Sequence, residues 1–295
     1  MPIKHIVIGG GGPSGLLSYG VLMQLHKKGF WQLADIKSMY GCSIGAYISF
    51  ILSLNYDWDW LDDYFIKRPW DKLMASSMTR LTDIYEKKCL INEQFYTEAI
   101  TPLLRGKDLS EDITLAEFYA FNNIEIHMYA ANINAVKIEK IDISYKTHPD
   151  LKLVKALRMT MAVPIVFEPI IDENRCYIDG GIMNNYPLND CIANQECDTD
   201  DILALKNIWK DTNKQIIHEK SSMFDFLIFL LRKMQGYIDT ESDQVDVKHT
   251  VRCLMEDLED FDKWVEALSL LDTRKYLIEN GAKQGDLFLA YLSKK

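Results

Sequence analysis

Three short segments carry residues whose types and spacing could do chemistry. The first, Ile6-Val7-Ile8-Gly9-Gly10-Gly11-Gly12-Pro13-Ser14-Gly15, runs from a β-branched apolar stretch into four consecutive glycines. Glycines there permit positive φ and leave peptide N–H groups unshielded at the start of the next helix, so the loop reads as an anion cradle. The second, Gly41-Cys42-Ser43-Ile44-Gly45, has the form G-x-S-x-G between a strand pattern and an apolar helix pattern. In that setting the turn is sharp and presents the Ser43 hydroxyl at the strand's end, as a nucleophile elbow does. The third, Cys176-Tyr177-Ile178-Asp179-Gly180-Gly181, ends a short apolar strand in one carboxylate followed by residues without bulk. Ligands of open parallel sheets bind at the carboxyl ends of strands, where Asp179 would stand, although Asp-Gly alone is also a common turn dipeptide.

Two other chemistries compete for these residues. Gly10, Gly12 and Gly15 also spell G-x-G-x-x-G, the fingerprint of a turn that binds a dinucleotide such as FAD or NAD. Such a site needs an acidic residue at the carboxyl end of the second strand; here that strand pattern, Ile36 to Tyr40, runs into Gly41, and Asp35 lies at its opposite end. The dinucleotide site therefore lacks its second contact, and no cofactor is expected. A Ser–His–Asp hydrolase needs a histidine base late in the chain. His127 falls within a strand pattern, His148 precedes Pro149, and His218 and His249 lie in polar stretches, so no triad is legible. Neither H-E-x-x-H nor a calcium-binding loop is present, and no metal is expected.

The elements that must position these segments alternate between strand and helix. His5 to Ile8 reads as a buried strand, Leu16 to Lys28 as a helix, Ile36 to Tyr40 as a strand and Ile44 to Leu54 as an apolar helix. This order predicts an α/β fold, a mostly parallel central sheet with helices on both faces. Thr114-Leu115-Ala116-Glu117 fits a capping box, Ile124 to Ala131 and Val136 to Ile143 read as strands, and Leu151 to Met161 as a helix stopped by Pro164. Two short strands follow, Cys176 to Ile178 and Ile202 to Leu205. Beyond Asn207 come a polar stretch, the apolar segment Met223 to Met234 and a helical run, Thr273 to Leu292. The expected division is an α/β catalytic domain over 1–206 and a mainly helical C-terminal extension over 207–295, packing on or near it.

Composition narrows the classes further. The 295 residues are 48% hydrophobic and 26% charged, with 15 Gly and 8 Pro, which excludes disordered and collagen-like chains. With 33 Lys plus Arg against 43 Asp plus Glu, the net charge is −10, the wrong sign for a phosphate backbone, so no nucleic acid partner is expected. The acids bunch at Glu196 to Asp201 and Glu256 to Asp262, which read as solvated faces. The 6 cysteines show no C-x-x-C spacing and read as reduced core thiols in a reducing compartment. Met1 to Ile8 does not look like a signal peptide, and the uncharged run Ser38 to Tyr56 is too rich in Gly and Ser for a membrane span, favouring a buried helix. A cytoplasmic or other intracellular setting is expected, peripheral on membranes at most.

With these blocks in view, the sequence resembles the patatin-like phospholipases, lipid acyl hydrolases with a serine–aspartate dyad. The resemblance rests on Gly10-Gly11-Gly12-Pro13-Ser14-Gly15, on Gly41-Cys42-Ser43-Ile44-Gly45-Ala46, on Asp179-Gly180-Gly181 continuing to Asn185 and Pro187, and on Ala156 to Pro164. In that last block Thr160 stands where the family usually has Ser. Many members carry Arg or Lys where this chain has Ser14, which removes a cation but leaves the backbone donors. The resemblance implies a three-layer α/β/α fold, Ser43 as nucleophile, Asp179 as its proton acceptor, and the N–H groups of Gly10, Gly11 and Gly12 as the oxyanion hole. It also implies an ester of a long acyl chain as substrate, met at a membrane or lipid-droplet surface. Phospholipase A activity leads; a neutral-lipid lipase, a lysophospholipase, acyl transfer and a non-catalytic lipid-binding relative stay open. Met223 to Leu231 could rest in a lipid interface or cover the site as a lid, with a plain core helix as the simpler reading. Lys67, Arg68 and Lys72 form the local basic patch available for lipid contact.

Overall fold

The computed structural model of the chain describes residues 2–80, 82–209, 216–221, 223, 225–227, 229–231, 233–234, 247–255 and 261–294. In chain order the strands are β1 (His5–Ile8), β2 (Ser38–Cys42), β3 (Cys89–Ile91), β4 (Glu125–Asn132), β5 (Glu139–Ile143), β6 (Ile165–Phe167), β7 (Ile170–Asp172), β8 (Arg175–Asp179), β9 (Ile202–Trp209) and β10 (His249–Met255). The helices are α1 (Gly15–Lys27), α2 (Ile44–Ser53), α3 (Trp58–Lys67), α4 (Trp70–Ser77), α5 (Ile84–Lys87), α6 (Gln94–Arg105), α7 (Leu115–Asn122), α8 (Leu153–Met161), α9 (Gly181–Asn184) and α10 (Leu188–Gln195). Two more follow, called here the cover helix (Phe261–Ser269) and the terminal helix (Leu271–Leu292).

The large sheet has the order β10-β9-β1-β2-β4-β8-β7, with β5 also on β4. Neighbours from β10 to β4 run parallel, and β5, β8 and β7 are added antiparallel. β1 and β2 are buried at every position, as expected of strands covered on both faces. Alternate residues serve different cores. Ile6, Ile8, Met39, Ile126 and Met128 join the core beneath α1 and α2, whereas Val7, Tyr40, Cys42 and Tyr129 face Leu188 and Cys191 of α10. The fold is thus a mixed α/β structure with a mostly parallel central sheet, helices around it and a helical C-terminus.

Several sequence expectations shift in detail. The second strand begins at Ser38 and runs through Gly41 into Cys42. β9 continues to Trp209, through the position where the sequence suggested a division, and the C-terminal part adds β10 to the same sheet as well as its helices. The terminal helix lies along α1, where a Cβ on Gly20 would sit 2.1 Å from the Ile278 carbonyl oxygen and one on Gly281 2.2 Å from that of Leu17. Only glycine admits backbones this close. The described residues of 223–234 are helical and none of them is buried, with Met223, Phe226, Leu230 and Met234 exposed; positions 224, 228 and 232 of that segment lie outside the described residues. The acidic run 256–260 lies outside the described residues. All 6 cysteines are free, and all but Cys197 are buried.

Candidate active site

β4 assembles the site. Its residues 128–132 pair along one edge with β5; along the other edge, β2 pairs as far as Cys42 opposite Tyr129 and β8 takes over with Asp179 opposite Ala130. Parallel β2 and antiparallel β8 therefore end head to head on the same side of one strand. Ser43, just past β2, and Asp179, the last residue of β8, are brought together although they are far apart in sequence.

Ser43 has φ 54° and ψ −125°, a left-handed conformation that side chains other than glycine rarely adopt. The turn is possible because Gly45 packs on the end of β1, where a Cβ would be 2.2 Å from the Ile8 carbonyl oxygen. The Ser43 N–H is not left orphaned: it donates to Thr160 Oγ1 at 3.0 Å, from the end of α8. Thr160 is completely buried. Gly41 lies in β2, Gly15 opens α1, and Gly180 and Gly181 follow Asp179 into α9.

Asp179 is buried, and desolvation pushes its carboxyl up to about 6, against the opposing influence of the Ser43 hydroxyl, the Gly181 N–H and the Cys42 thiol. Its Oδ1 accepts from the Gly181 N–H at 2.7 Å and lies 3.8 Å from the Cys42 Sγ donor. Its Oδ2 is buried with no hydrogen-bond partner. The Ser43 hydroxyl is thus near enough to lower the carboxyl's value, and among the described residues Oδ2 is the carboxylate oxygen without a hydrogen-bond partner. Among the described residues no histidine lines the adjoining cavity. His127 lies on the α10 side of the sheet instead, stacked on Tyr40 at 4.2 Å and bonded to Asp142 and Glu125.

The glycine loop differs from the sequence expectation at one position. The Gly10 N–H donates to the Asn185 carbonyl at 3.0 Å, so it is already occupied. Among the described residues no hydrogen bond is found from the N–H groups of Gly11 and Gly12. Side chains hold the loop by its carbonyls. Asn207 Nδ2 donates to Gly10 O at 2.9 Å, Asn185 Nδ2 to the same oxygen at 3.4 Å and Ser14 Oγ to Gly11 O at 2.8 Å. Ser14, where the resemblance led to the expectation of a missing cation, holds a loop carbonyl in this chain.

Ser43 opens onto a cavity of about 130 Å³ whose lining is almost wholly carbon. Ile44, Tyr47 and Ile48 of α2, Phe95 of α6 and Phe167 of β6 contribute, and the cover helix adds Trp264, Val265 and Leu268. Ser43 and Gly12 line that cavity, and Asp179 lies close enough to Ser43 to feel its hydroxyl, so an apolar ligand there would meet a hydroxyl with a buried carboxylate near it.

A model of the patatin-like phospholipase family matches residues 6–192. The chain belongs to that family. It is 29% identical over 222 residues, 73% of each chain, to the probable lipid hydrolase 463L of Invertebrate iridescent virus 6. It is 26% identical over 187 residues to the uncharacterized protein R571 of Acanthamoeba polyphaga mimivirus, covering 63% of this chain and 60% of that one. Among solved structures, VipD from Legionella pneumophila shares the fold, with a TM-score of 0.54 at 14% identity over 99% of this chain and 67% of VipD.

For this member of the family, three contributors to the site are missed or undervalued in sequence. Thr160 was visible only as a variant of a motif position, and Asn207 as a polar residue at the carboxyl end of a strand. Trp264 gave no local signal, because it lies past the matched region and reaches the site only through tertiary packing.

Proposed function

We propose that the chain is a lipid acyl hydrolase of phospholipase A type, with Ser43 as nucleophile and Asp179 as its only side-chain base. Ser43 Oγ attacks the ester carbonyl carbon while its proton passes to Asp179 Oδ2. The resulting oxyanion is held by the Gly11 and Gly12 N–H groups. The intermediate collapses by breaking the bond to the alkoxy oxygen, which takes the proton back from Asp179 and leaves as a lysophospholipid. Water, deprotonated by Asp179, then cleaves the acyl-enzyme, releasing a fatty acid and restoring Ser43.

The observation that carries this reading is the burial of Asp179 within reach of the Ser43 hydroxyl with its Oδ2 unpartnered, and desolvation there pushes the carboxyl up to about 6. An ordinary carboxylate is too weak a base for a hydroxyl; the raised value brings it towards the range useful at neutral pH. The carbon-lined cavity supports an acyl chain as the bound part of the substrate, and family membership and the lipid-hydrolase relative support lipid ester chemistry. Among the described residues no helix is long and apolar enough to cross a membrane, so the proposal has the protein meeting its lipid from the surface.

The test compares wild type, Ser43→Ala and Asp179→Asn for labelling by a fluorophosphonate probe and for fatty-acid release from phosphatidylcholine vesicles, with circular dichroism to check the fold. Labelling and release by the wild type alone are expected. Fatty-acid release by a folded Ser43→Ala protein would overturn the assignment. Release from triacylglycerol but not from phospholipid vesicles would replace phospholipase A with a neutral-lipid lipase.

A further inference from the structure

The wall of the cavity nearest the oxyanion loop does not come from the part of the chain that matches the family. It comes from the cover helix, beyond residue 192. A Cβ placed on Gly12 would lie 2.7 Å from Trp264 Cη2, 2.8 Å from Cζ2 and 2.9 Å from Cζ3, so the six-membered edge of the indole rests directly on the Gly12 backbone. Gly12 carries one of the two free N–H groups, and Ser43 lines the same cavity. An acyl group with its carbonyl oxygen on those amides and its carbonyl carbon at Ser43 must lead its chain past this ring.

The ring is also firmly placed. Arg274, at the start of the terminal helix, is buried, and its guanidinium donates only to main-chain carbonyls: Nη1 to Leu268 O at 2.7 Å, Nε to Phe65 O at 2.9 Å and Nη2 to Ile66 O at 2.7 Å. The end of the cover helix is thereby tied to the end of α3, whose Phe65 also lines the cavity. Guanidinium stays charged across the accessible pH range, so the tie does not loosen by titration. A fixed aromatic wall selects by shape, and in an apolar pocket each methylene gained or lost is worth roughly 10–200-fold.

Resting on the acyl-hydrolase reading, we infer that Trp264 is a specificity-determining residue that limits which acyl chains the site accepts. Selectivity then resides in the C-terminal part, while the reacting groups reside in the family-matched part. Replacing the indole by a smaller side chain opens room beside Gly12 and leaves Ser43, Asp179 and the loop in place.

The test uses full-length Ser43→Ala protein, so that binding is read without turnover. Methyl esters of octanoic, dodecanoic and hexadecanoic acid displace an environment-sensitive fluorescent dye from the cavity, and the ratio of the hexadecanoate to the octanoate affinity is recorded. Adding Trp264→Ala should raise that ratio by about tenfold or more, with Trp264→Phe, which keeps an aromatic anchor for the helix, in between. Val136→Ala, at a fully exposed site, should leave it unchanged. An unchanged ratio in a folded Trp264→Phe or Trp264→Ala protein overturns the inference, as does absence of binding by every variant. Because the readout needs no catalysis, a shifted ratio in a chain whose wild type releases no fatty acid would sink the hydrolase proposal and leave the role of Trp264 standing.

Discussion

At Ser43 the main chain is held in a conformation that an ordinary side chain avoids, and the surroundings compensate by giving its N–H a partner, Thr160 Oγ1. Thr160→Ala would orphan that buried N–H, a loss of about 1–3 kcal/mol, and let the serine drift. The expected result is a kcat lower by about tenfold with KM nearly unchanged, recovered by Thr160→Ser but not by Thr160→Val. Asp179 makes two expectations that separate stability from activity. As the base of the proposed mechanism it must be ionised, so kcat/KM should rise with pH through about 6 and then level off. Its folded value lies above its ordinary one, 3.8, so its contribution to stability is fully present below pH 3.8 and is lost as pH rises through about 6. Asp179→Asn, neutral throughout, should therefore be inactive yet more stable than wild type at pH 8 by about 2–3 kcal/mol, with the advantage vanishing towards pH 4, as thermal melts at the two values would show. The G-x-S-x-G, glycine-run and D-G-G residues were legible because backbone geometry demands those types within a few positions of each other. The detail that Gly10 is occupied was not legible, since its partner, Asn185, comes from a distant turn.

Among the elements, β4 does the assembling, by taking β2 and β8 end to end along one edge. The alternation of strand and helix up to Ser53 reads directly from hydrophobic period, and the Thr114-to-Glu117 spacing marks the capping box, which forms with both of its reciprocal bonds. Other elements hide in the sequence. β3, β6 and β7 are three residues each, too short for a period to register, and they owe their strand form to the partners they meet. β10 alternates buried and exposed positions from Val251 to Met255, a pattern its polar flanks disguised. The close approach of α1 and the terminal helix is a consequence of Gly20 and Gly281, which local propensity would count only as poor helix formers. Gly281→Val should push the terminal helix off α1 and carry the Arg274 tie with it. A melting temperature lower by several degrees is expected, about 2–4 °C for each kcal/mol lost, together with easier proteolysis between the cover and terminal helices.

The molecule as a whole separates chemistry from a charged support by the thickness of its sheet. One side holds the apolar cavity; the other holds His127 between Asp142 and Glu125, with Lys146 also on Glu125. Burial pulls the His127 imidazole down, but bonds and charges from Asp142 and Glu125 outweigh it and leave the value above 6.5. Burial likewise pushes Glu125 up, and His127 and Lys146 bring it down to about 2. The histidine's contribution to stability is full below pH 6.5 and lost as pH rises through its higher folded value; the glutamate's is present above pH 4.5 and lost as pH falls to about 2. The network should thus stabilise the fold most between those limits, and the gap in melting temperature between wild type and His127→Gln should be widest there and narrow at alkaline pH. The central claim concerns the opposite side: that loops from three distant parts of the chain surround one acyl carbon. A crystal structure of the protein after reaction with a long-chain alkyl fluorophosphonate tests it most directly. The account expects phosphorus bonded to Ser43 Oγ with fluoride lost, the phosphoryl oxygen on the Gly11 and Gly12 N–H groups, and the alkyl chain in the cavity against Trp264. An adduct on another residue, or a phosphoryl oxygen turned away from the glycine loop, would contradict it.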